Sequence, residues 1–382
     1  MKKILLLLFI IFIGCDKKHI PSFAIDIPKY TKKPPILSEN NKTLTYSKLN
    51  YFVYLHTKYI KECKYHHNCK ILNNISKALN IHPNNLLKKN INSNYIYITK
   101  NATKRDIEKL KTLKIPTVYD NSKQIYLKPI FIDISREKRV YPYNKLLTPV
   151  IGVNRWCCGK LEGLNGLEKL VKNRPLYTSI NIQKQKKLEK KVDILKQKYN
   201  ANEVMAVLID LKSNKIKAIA SSNKYDPSNI KNISLTNINI NRYLFKSDEL
   251  LKPIKIYIKQ TNEHNLSKIF KQFHIFESSS DLPNETQMKI NKFLNRKDFT
   301  INNVKLNFLQ TIKLYASLLN GYSQKLSILK NTNYKKEKIP QKTQIPNKLT
   351  VYLKFGKTVK KGILIFNQNK NYLKVYFIEG VK

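Results

Sequence analysis

Two apolar runs joined by a short polar turn constrain the fold of this chain most. VMAVLIDL (204–211) and KIKAIASS (215–222) are rich in β-forming residues, and only KSN separates them. This pattern predicts a two-stranded β-hairpin. The 382 residues, 42% of them apolar, are enough to bury a core and suggest two domains.

Helices and further strands are predicted around this hairpin. INIQKQKKLEKKVDILKQKY (180–199) has apolar residues at helical spacing and one lysine-rich face. Helical segments follow around 250–260 and 307–320, and LTVYLKFG and YLKVYFIEG near the end read as strands. The fold class is therefore mixed α/β, of the α+β type.

The N-terminal third also mixes helix and strand patterns. From Leu44 the stretch TYSKLNYFVYLHTKYIKE predicts a helix, whereas YIYITK (95–100) alternates like a strand. TKRDIEKLKTL predicts a short amphipathic helix, with Asn101 or Thr103 as its cap. The predicted organisation is a signal peptide over 1–14, a tether over 15–40, a mixed domain over 41–165 and a second domain over 166–382.

The N-terminus has the features of an export signal. MKK is followed by an unbroken apolar run from Ile4 to Ile13 and then by Gly14 and Cys15. Ten residues span about 15 Å as a helix, half of a bilayer core. The arrangement resembles a bacterial lipobox, although Phe12 replaces the usual leucine, and this implies lipid attachment at Cys15. Simple cleavage and an uncleaved apolar terminus are the alternatives.

The charge of the chain indicates its partners. Its 72 basic and 25 acidic side chains give a formal net charge of +47. Such a surface favours anionic membranes, acidic cell-wall polymers or nucleic acid. Export argues against nucleic acid, so we expect an exported protein, lipid-anchored to a membrane and facing the periplasm or the cell surface.

Four cysteines remain after Cys15. Cys63 and Cys69 enclose two histidines, but their spacing matches no known zinc signature, so a disulfide or free thiols is favoured over a metal site. Cys157 and Cys158 are adjacent, an awkward geometry for pairing with each other, and their state is open. Neither a metal nor a cofactor is predicted.

Several ordered motifs resemble the class B penicillin-binding proteins, the transpeptidases that crosslink peptidoglycan. PPILSENNKTL is similar to the segment after the family's membrane anchor, and RVYPYN (139–144) to its Arg-x-Tyr-Pro-x-Gly motif, with Asn144 for glycine. The chain then presents GLNGLE (163–168), the hairpin with the following loop, DLPNE (281–285) and LNFLQTIKLYASLLNGY (306–322) in the family's order. The resemblance implies a pedestal-like domain followed by a shortened transpeptidase-like domain, whose mainly antiparallel sheet is flanked by helices.

The resemblance also places the catalytic segment on SDELLKPI (247–254). Active members carry Ser-x-x-Lys there, and alignment through Lys252 puts Glu249 at the position of the serine nucleophile. A carboxylate cannot form the acyl ester, and next to Lys252 it would hold the amine protonated. On a helix the two residues would lie roughly 60° apart.

Two further catalytic motifs are altered. The 28 residues before Asp281 contain no Ser-x-Asn, and KFGKTVKKG keeps Lys357 and Thr358 of Gly-Lys-Thr-Gly but has Val359 in place of the last glycine. These losses imply an inactive relative with a binding or scaffold role in peptidoglycan synthesis, so no catalytic residue is expected.

Two alternatives stay open. One is an active D,D-transpeptidase or carboxypeptidase with an unrecognised serine, although the other Ser-x-x-Lys matches are no more than composition predicts. These matches begin at Ser135, Ser221, Ser228 and Ser327. The second alternative is a basic surface lipoprotein that binds anionic polymers.

Overall fold

The computed structural model describes residues 25–66, 70–87, 93–113, 115, 118–120, 125–229, 244–246, 251–285, 304–339, 348–355, 360–369 and 371–381. The chain forms two compact units. Unit 1 comprises Met1–Thr31 and Leu49–Arg136, and unit 2 comprises Lys32–Lys48 and Glu137–Lys382. The predicted boundary between a first domain over 41–165 and a second over 166–382 follows the domain division of the resembled family, and it stays a prediction.

The first part of the chain contains both helices and strands. The order is β1 (Ile36–Leu37), β2 (Thr43–His56), α1 (Thr57–His66), α2 (Lys70–Leu79), α3 (Pro83–Leu87), β3 (Tyr95–Ala102), α4 (Lys104–Lys111), β4 (Val118–Asp120), β5 (Ile125–Leu127) and β6 (Ile130–Val140). The strand β3 and the helix α4 confirm the predictions there. Thr103 caps α4, and its hydroxyl accepts from the Asp106 amide in a capping box.

The predicted helix beginning at Leu44 is wrong. Residues 43–56 form β2, and burial alternates over its second half, with Tyr51, Val53 and Leu55 buried. The segment is rich in aromatic and β-branched side chains, and these favour the half-buried surface of a sheet. The helix α1 begins only at Thr57.

The core of unit 1 lies between strands and helices. Strand β2 pairs antiparallel with β3 and also pairs with β6. Their inward side chains form one apolar cluster with residues of α1, α2 and α4. Members of this cluster include Val53, Leu55, Ile60, Leu72, Ile75, Ile107, Leu110, Ile130 and Ile132.

Unit 2 contains β1, residues 43–48 of β2 and residues 137–140 of β6, together with the rest of the chain. Its elements are α5 (Thr148–Ile151), β7 (Asn154–Cys157), β8 (Lys160–Gly163), α6 (Gly166–Leu170), β9 (Leu176–Tyr177), α7 (Ile182–Lys198), β10 (Glu203–Asp210), β11 (Lys215–Ser221), β12 (Phe245–Lys246), α8 (Lys252–Thr261), α9 (Leu266–Gln272), β13 (Lys305–Leu306), α10 (Phe308–Asn320), β14 (Tyr322–Ser323), β15 (Glu337–Lys338), β16 (Lys348–Phe355), β17 (Lys360–Gln368) and β18 (Tyr372–Glu379).

A five-stranded antiparallel sheet organises unit 2. Its order is β11-β10-β18-β17-β16, so the predicted hairpin forms one edge and the C-terminal strands complete the sheet. The predicted mixed α/β class with a mainly antiparallel sheet flanked by helices is confirmed.

Both faces of this sheet are covered. One face of β10 packs in a cluster with the apolar face of α7, and it carries Val204, Ala206 and Leu208. The other face packs in the large cluster that contains α8, α9 and α10, and it carries Met205 and Val207. Because both faces are buried, the strand reads as a continuous apolar run instead of alternating. The helix α10 is the central element of the second cluster, and almost all of its side chains are buried.

Two features of the predicted N-terminal segment fall outside this description. The signal peptide over 1–14 and Cys15 lie outside the described residues. Within the described part of the chain, no helix is both long and apolar enough to span a membrane.

Candidate functional site

The motif residue Arg139 is the centre of a buried network in unit 2. Its Nε donates to Glu168 Oε1 at 2.8 Å, and both side chains are almost fully buried. The other four guanidinium N–H groups also find acceptors, so all five donors of the fork are used. These acceptors are Ser47 Oγ, Thr45 Oγ1 and the carbonyl oxygens of Lys33 and Pro34.

Lys33 adds a second cation to this arginine network. Its Nζ donates to Asn154 Oδ1 at 2.7 Å and to the Glu168 carbonyl at 2.9 Å, and it lies 3.5 Å from Glu168 Oε2. Burial lowers the pKa of Lys33, although the Glu168 carboxylate opposes this effect. The buried Glu168 carboxylate thus faces two cations, Lys33 and Arg139. The segments PPILSENNKTL, RVYPYN and GLNGLE, which resemble family motifs, meet at this network.

Sequence reasoning missed Lys33, which lies in the predicted tether. The segment 33–40 is part of unit 2, since β1 pairs antiparallel with β2 and parallel with β9. The sequence does contain a sign of this strand. The apolar residues Ile36 and Leu37 directly follow Pro-Pro, which is typical of a strand that begins after a proline.

Glycines let the GLNGLE segment close on itself. A Cβ at Gly163 would lie 2.1 Å from the Glu168 carbonyl oxygen, and one at Gly166 would lie 2.5 Å from the Val150 oxygen. Gly166 also has a φ of +57°. These close backbone approaches require glycine and hold Glu168 in the network.

Asparagine occupies two turn positions where the resembled motifs carry glycine. Asn144 follows RVYPY with a φ of +50°, and Asn284 in DLPNE has a φ of +63°. Asparagine tolerates this left-handed region better than other residues with a Cβ. The turns are therefore kept without glycine.

The DLPNE turn is held by its two carboxylates. Asp281 accepts from Ser327 Oγ at 2.6 Å and from the Ile328 amide at 2.8 Å. Glu285 accepts from the Ser279 amide at 2.9 Å and from Asn307 Nδ2 at 3.0 Å. Both carboxylates bind backbone and neutral side chains, which is a structural use of the charge.

A third set of charged groups, the α10 cluster, consists of His274, Glu277, Lys313 and Glu337. His274 places Nδ1 2.7 Å from Glu277 Oε1 and Nε2 2.5 Å from Glu337 Oε2. Burial lowers the pKa of His274, but the two carboxylates outweigh this and the net pKa is raised. Lys313 is 4% exposed, and its Nζ donates to the His274 carbonyl at 3.0 Å. Burial lowers the pKa of Lys313 to about 8.

The predicted counterparts of the catalytic residues lie at the start of α8 and near the end of the chain. The helix α8 begins at Lys252, with Leu251 at its N-cap, and Ile254 and Tyr257 pack in the large core. Glu249 lies outside the described residues, and only the backbone of Lys252 is described.

The third motif is not described either. Lys357 and Thr358 fall between β16 and β17 and lie outside the described residues. The assignments of these two residues therefore stay predictions, as do those of Glu249 and Lys252.

Three of the other Ser-x-x-Lys serines lie in strands or a loop. Ser135 is in β6, and Ser221 ends β11 with its hydroxyl donating to Glu203 at 2.8 Å. Ser228 is in the loop after the hairpin, where its hydroxyl donates to Asp226 at 2.6 Å. None of these three opens a helix, as the nucleophile of this chemistry does.

Ser327 is the remaining candidate, and it contacts a buried lysine. Lys215 Nζ lies 3.4 Å from Ser327 Oγ and donates to the Leu329 carbonyl at 2.8 Å. However, Ser327 is 2% exposed and its hydroxyl donates to Asp281. A hydroxyl that is buried and already bound to a carboxylate is not available to a substrate.

The cysteines differ in state. Cys63 is disulfide-bonded, whereas Cys69 lies outside the described residues, so their pairing stays a prediction. Cys157 and Cys158 are free thiols at the turn between β7 and β8. Within the described ranges, no group of three or more His, Cys, Asp or Glu side chains is arranged so that it could hold a metal ion.

Comparison with solved structures identifies the fold. A penicillin binding protein 2X from Streptococcus thermophilus is similar with a TM-score of 0.67 and 11% identity, over 92% of this chain and 76% of that one. The chain has the fold of the penicillin-binding proteins. The sequence matches no known family profile and no curated protein.

Two further structures share the penicillin-binding fold over nearly their whole length. A peptidoglycan synthetase from Bifidobacterium adolescentis has a TM-score of 0.59 and 11% identity, over 91% of this chain and 90% of that one. Penicillin-binding protein PBP2 from Helicobacter pylori, in a complex with MreC, has a TM-score of 0.57 and 14% identity, over 91% and 94%.

Proposed function

We propose that this protein is an exported, non-catalytic relative of the penicillin-binding proteins that binds within the peptidoglycan-synthesis machinery. The observation that carries the proposal is Glu249 three residues before Lys252, a pair that the resemblance aligns with the Ser-x-x-Lys of active members. In a chain with the penicillin-binding fold, that position is the one that must be acylated.

The surrounding motifs support the same conclusion. Ser-x-Asn is absent from the stretch before Asp281, and Val359 stands where the family has a glycine. A β-branched side chain there would crowd the groove in which the substrate backbone lies. Loss of three separate parts is more damaging than loss of one, because acyl transfer needs them together.

A binding role is supported by what the chain keeps. All five donors of Arg139 find acceptors, and Asp281 of the DLPNE turn binds Ser327 and Ile328, so these motifs keep a structural use. PBP2 of H. pylori forms a complex with MreC, and a partner of that type is the proposed ligand class. Attachment through Cys15 and the high positive charge would keep the protein at an anionic membrane.

A fluorescent penicillin tests the loss of catalysis. The full-length protein in detergent is incubated with the reagent beside an active penicillin-binding protein, and covalent label is read on a denaturing gel. We expect no label on the wild type and none on Glu249→Ser, because the second motif is still absent from the stretch before Asp281 and the third is still altered at Val359. Lys252→Ala serves as the matched control.

The outcome of this labelling separates the alternatives. Covalent label on the wild type would overturn the non-catalytic proposal. Label that appears only on Glu249→Ser would show that one residue, and not three motifs, accounts for the inactivity.

The binding role has its own test. The tagged protein is crosslinked in its native cells, and captured proteins are identified with a Cys15→Ala variant as the localisation control. Enrichment of peptidoglycan-synthesis proteins with the wild type is expected. Enrichment of none of them would reject the scaffold role and favour a surface lipoprotein that binds anionic polymers.

A further inference from the structure

The hairpin β7–β8 carries two adjacent thiols at its turn. Cys157 pairs with Lys160 across the hairpin, so only Cys158 and Gly159 form the connection. Their φ angles are +51° and +75°, the combination of a type I′ turn. That turn is usually formed by asparagine, aspartate or glycine, so a cysteine in its first central position is an unusual choice.

The two sulfur atoms are already in contact. Cys157 Sγ lies 3.2 Å from Cys158 Sγ. A disulfide would need the two atoms to come about 1.2 Å nearer, to roughly 2.05 Å. The turn therefore holds both thiols on the same side and close to bonding distance.

The base of the hairpin is fixed, whereas its tip is accessible. Asn154 at the base is buried, and its side chain accepts from Lys33 Nζ and donates to the Tyr141 hydroxyl at 3.0 Å. At the tip Cys158 is exposed, and a Cβ added to Gly159 would meet no atom within 4 Å. An external molecule can reach Cys158 without any change in the fold.

We propose that Cys157 and Cys158 form a redox-active dithiol that reacts with external disulfides and closes into a vicinal disulfide. The inference rests on the hairpin alone and not on the proposed function. The substrate class is a small-molecule or protein disulfide, R–S–S–R.

The reaction has two exchange steps. The Cys158 thiolate attacks one sulfur of R–S–S–R, which forms a Cys158–S–S–R mixed disulfide and releases one thiolate. Cys157 then loses its proton and attacks the Cys158 sulfur, which forms the Cys157–Cys158 bond and releases the second thiolate. The protein dithiol loses two electrons, and the external disulfide gains them to become two thiols.

The order of attack follows from the surroundings of the two thiols. Cys158 is the exposed member and meets the reagent first. The pKa of Cys157 is raised, chiefly by its hydrogen bond with Cys158. Cys157 is also the less exposed of the two thiols, so it is suited to the resolving role.

Trypsin offers a direct measurement. Cleavage after Arg155 and Lys160 releases WCCGK (156–160), which contains no other cysteine than this pair. The full-length protein is equilibrated with glutathione at increasing ratios of oxidised to reduced form, quenched with acid, alkylated with iodoacetamide and digested. With increasing oxidation, the doubly alkylated peptide should be replaced by an unalkylated one. The mass of this peptide should be two hydrogen atoms below that of the reduced, unalkylated WCCGK, and it should carry no glutathione.

Single variants assign the two roles. Cys157→Ser should accumulate glutathione on Cys158, because no resolving thiol remains. Cys158→Asn keeps the left-handed turn, and its Cys157 should react more slowly, on the order of tenfold. Thermal unfolding checks that both variants keep the fold of the parent.

Two results would overturn the proposal. One is a wild-type peptide that stays doubly alkylated at every glutathione ratio. The other is a wild-type peptide with glutathione on both cysteines, since this would mean that the thiols react independently and do not close on each other.

Discussion

Arg139 and Lys313 both bury a cation in unit 2, but their surroundings differ. Arg139 uses all five donors and faces the buried Glu168 carboxylate. Among the described residues, Lys313 donates to one carbonyl oxygen and takes part in no ion pair, and burial lowers its pKa to about 8. A buried charge is tolerated only where its lost hydration is replaced, so the first site stabilises a defined geometry and the second weakens the fold.

The largest effect is expected from Arg139→Met. Among the described residues, removal of the guanidinium leaves Glu168, which is 0% exposed, with Lys33 as its only cation and takes the Arg139 donor from five acceptors. The free energy of unfolding should fall by about 3–5 kcal/mol. Urea denaturation of the full chain measures this loss.

A matched control for that variant is an exposed ion pair. Glu162→Gln removes the partner of Lys160, and both of these side chains are well exposed. Its effect should stay within about 0.5 kcal/mol. A loss below about 1 kcal/mol for Arg139→Met would mean that the network is not a stabilising centre.

The opposite sign is expected for Lys313→Met. The pKa of the buried lysine is lowered from 10.5 to about 8, so the unfolded chain binds more protons between these pH values. Stability of the wild type should therefore rise as pH increases from 8 towards 10.5. The methionine variant should lack this rise and be more stable at pH 7 by about 1–3 kcal/mol.

Denaturation series at pH 7 and pH 10 compare this variant with Lys187→Met, which changes an exposed lysine of α7. The control should keep the pH dependence of the wild type. If Lys313→Met destabilises the protein at pH 7, the contrast with Arg139 fails, because the amine would then be satisfied in its site.

A smaller effect tests the turn that follows Arg139. Asn144 has a φ of +50°, so Asn144→Ala should cost about 1 kcal/mol whereas Asn144→Gly should be close to neutral. The difference between the two variants in chemical denaturation is the measured quantity. Equal stability of the two would indicate that the left-handed conformation is not required.

The smallest effect concerns His274 in the α10 cluster. Its pKa is raised in the folded state, so the charged ring contributes stability that is complete below the unfolded value near 6.5 and is lost as pH rises through the raised pKa. Because Glu277 is largely exposed and Glu337 partly exposed, the contribution should be at most about 1 kcal/mol.

The stability difference between the wild type and His274→Gln at pH 6 and pH 8.5 measures this contribution. His264→Gln, which changes an exposed histidine in the same unit, is the control. A difference that is the same at both pH values would remove His274 from the set of stabilising charges.

Local patterns predicted most of the secondary structure. The hairpin β10–β11, the helices α4, α7 and α10 and the strands β16 and β18 all follow from apolar periodicity and turn residues. The prediction failed at β2, because its Tyr, Phe and Val residues satisfy a helical reading locally and only pairing with β1, β3 and β6 makes the segment a strand.

The candidate site was predictable in part. The sequence has Glu249 and Val359 where the resemblance predicts the nucleophile and the last motif glycine, and these two assignments stay predictions. The contacts of Asp281 with the Ser327 segment, and of Lys33 with Glu168, join residues 46 and 135 positions apart. No local pattern encodes such pairs.

The sequence by itself determined most of the elements outside β2, the asparagines at two left-handed turns and the absence of a serine three residues before Lys252. Only the tertiary structure decided that Arg139 and Glu168 share a buried site, that the buried Lys313 donates to the His274 carbonyl and that two thiols meet at a hairpin tip. The physical reason is that motifs depend on side-chain chemistry and local backbone preference, whereas burial and charge pairing depend on which distant segments pack together.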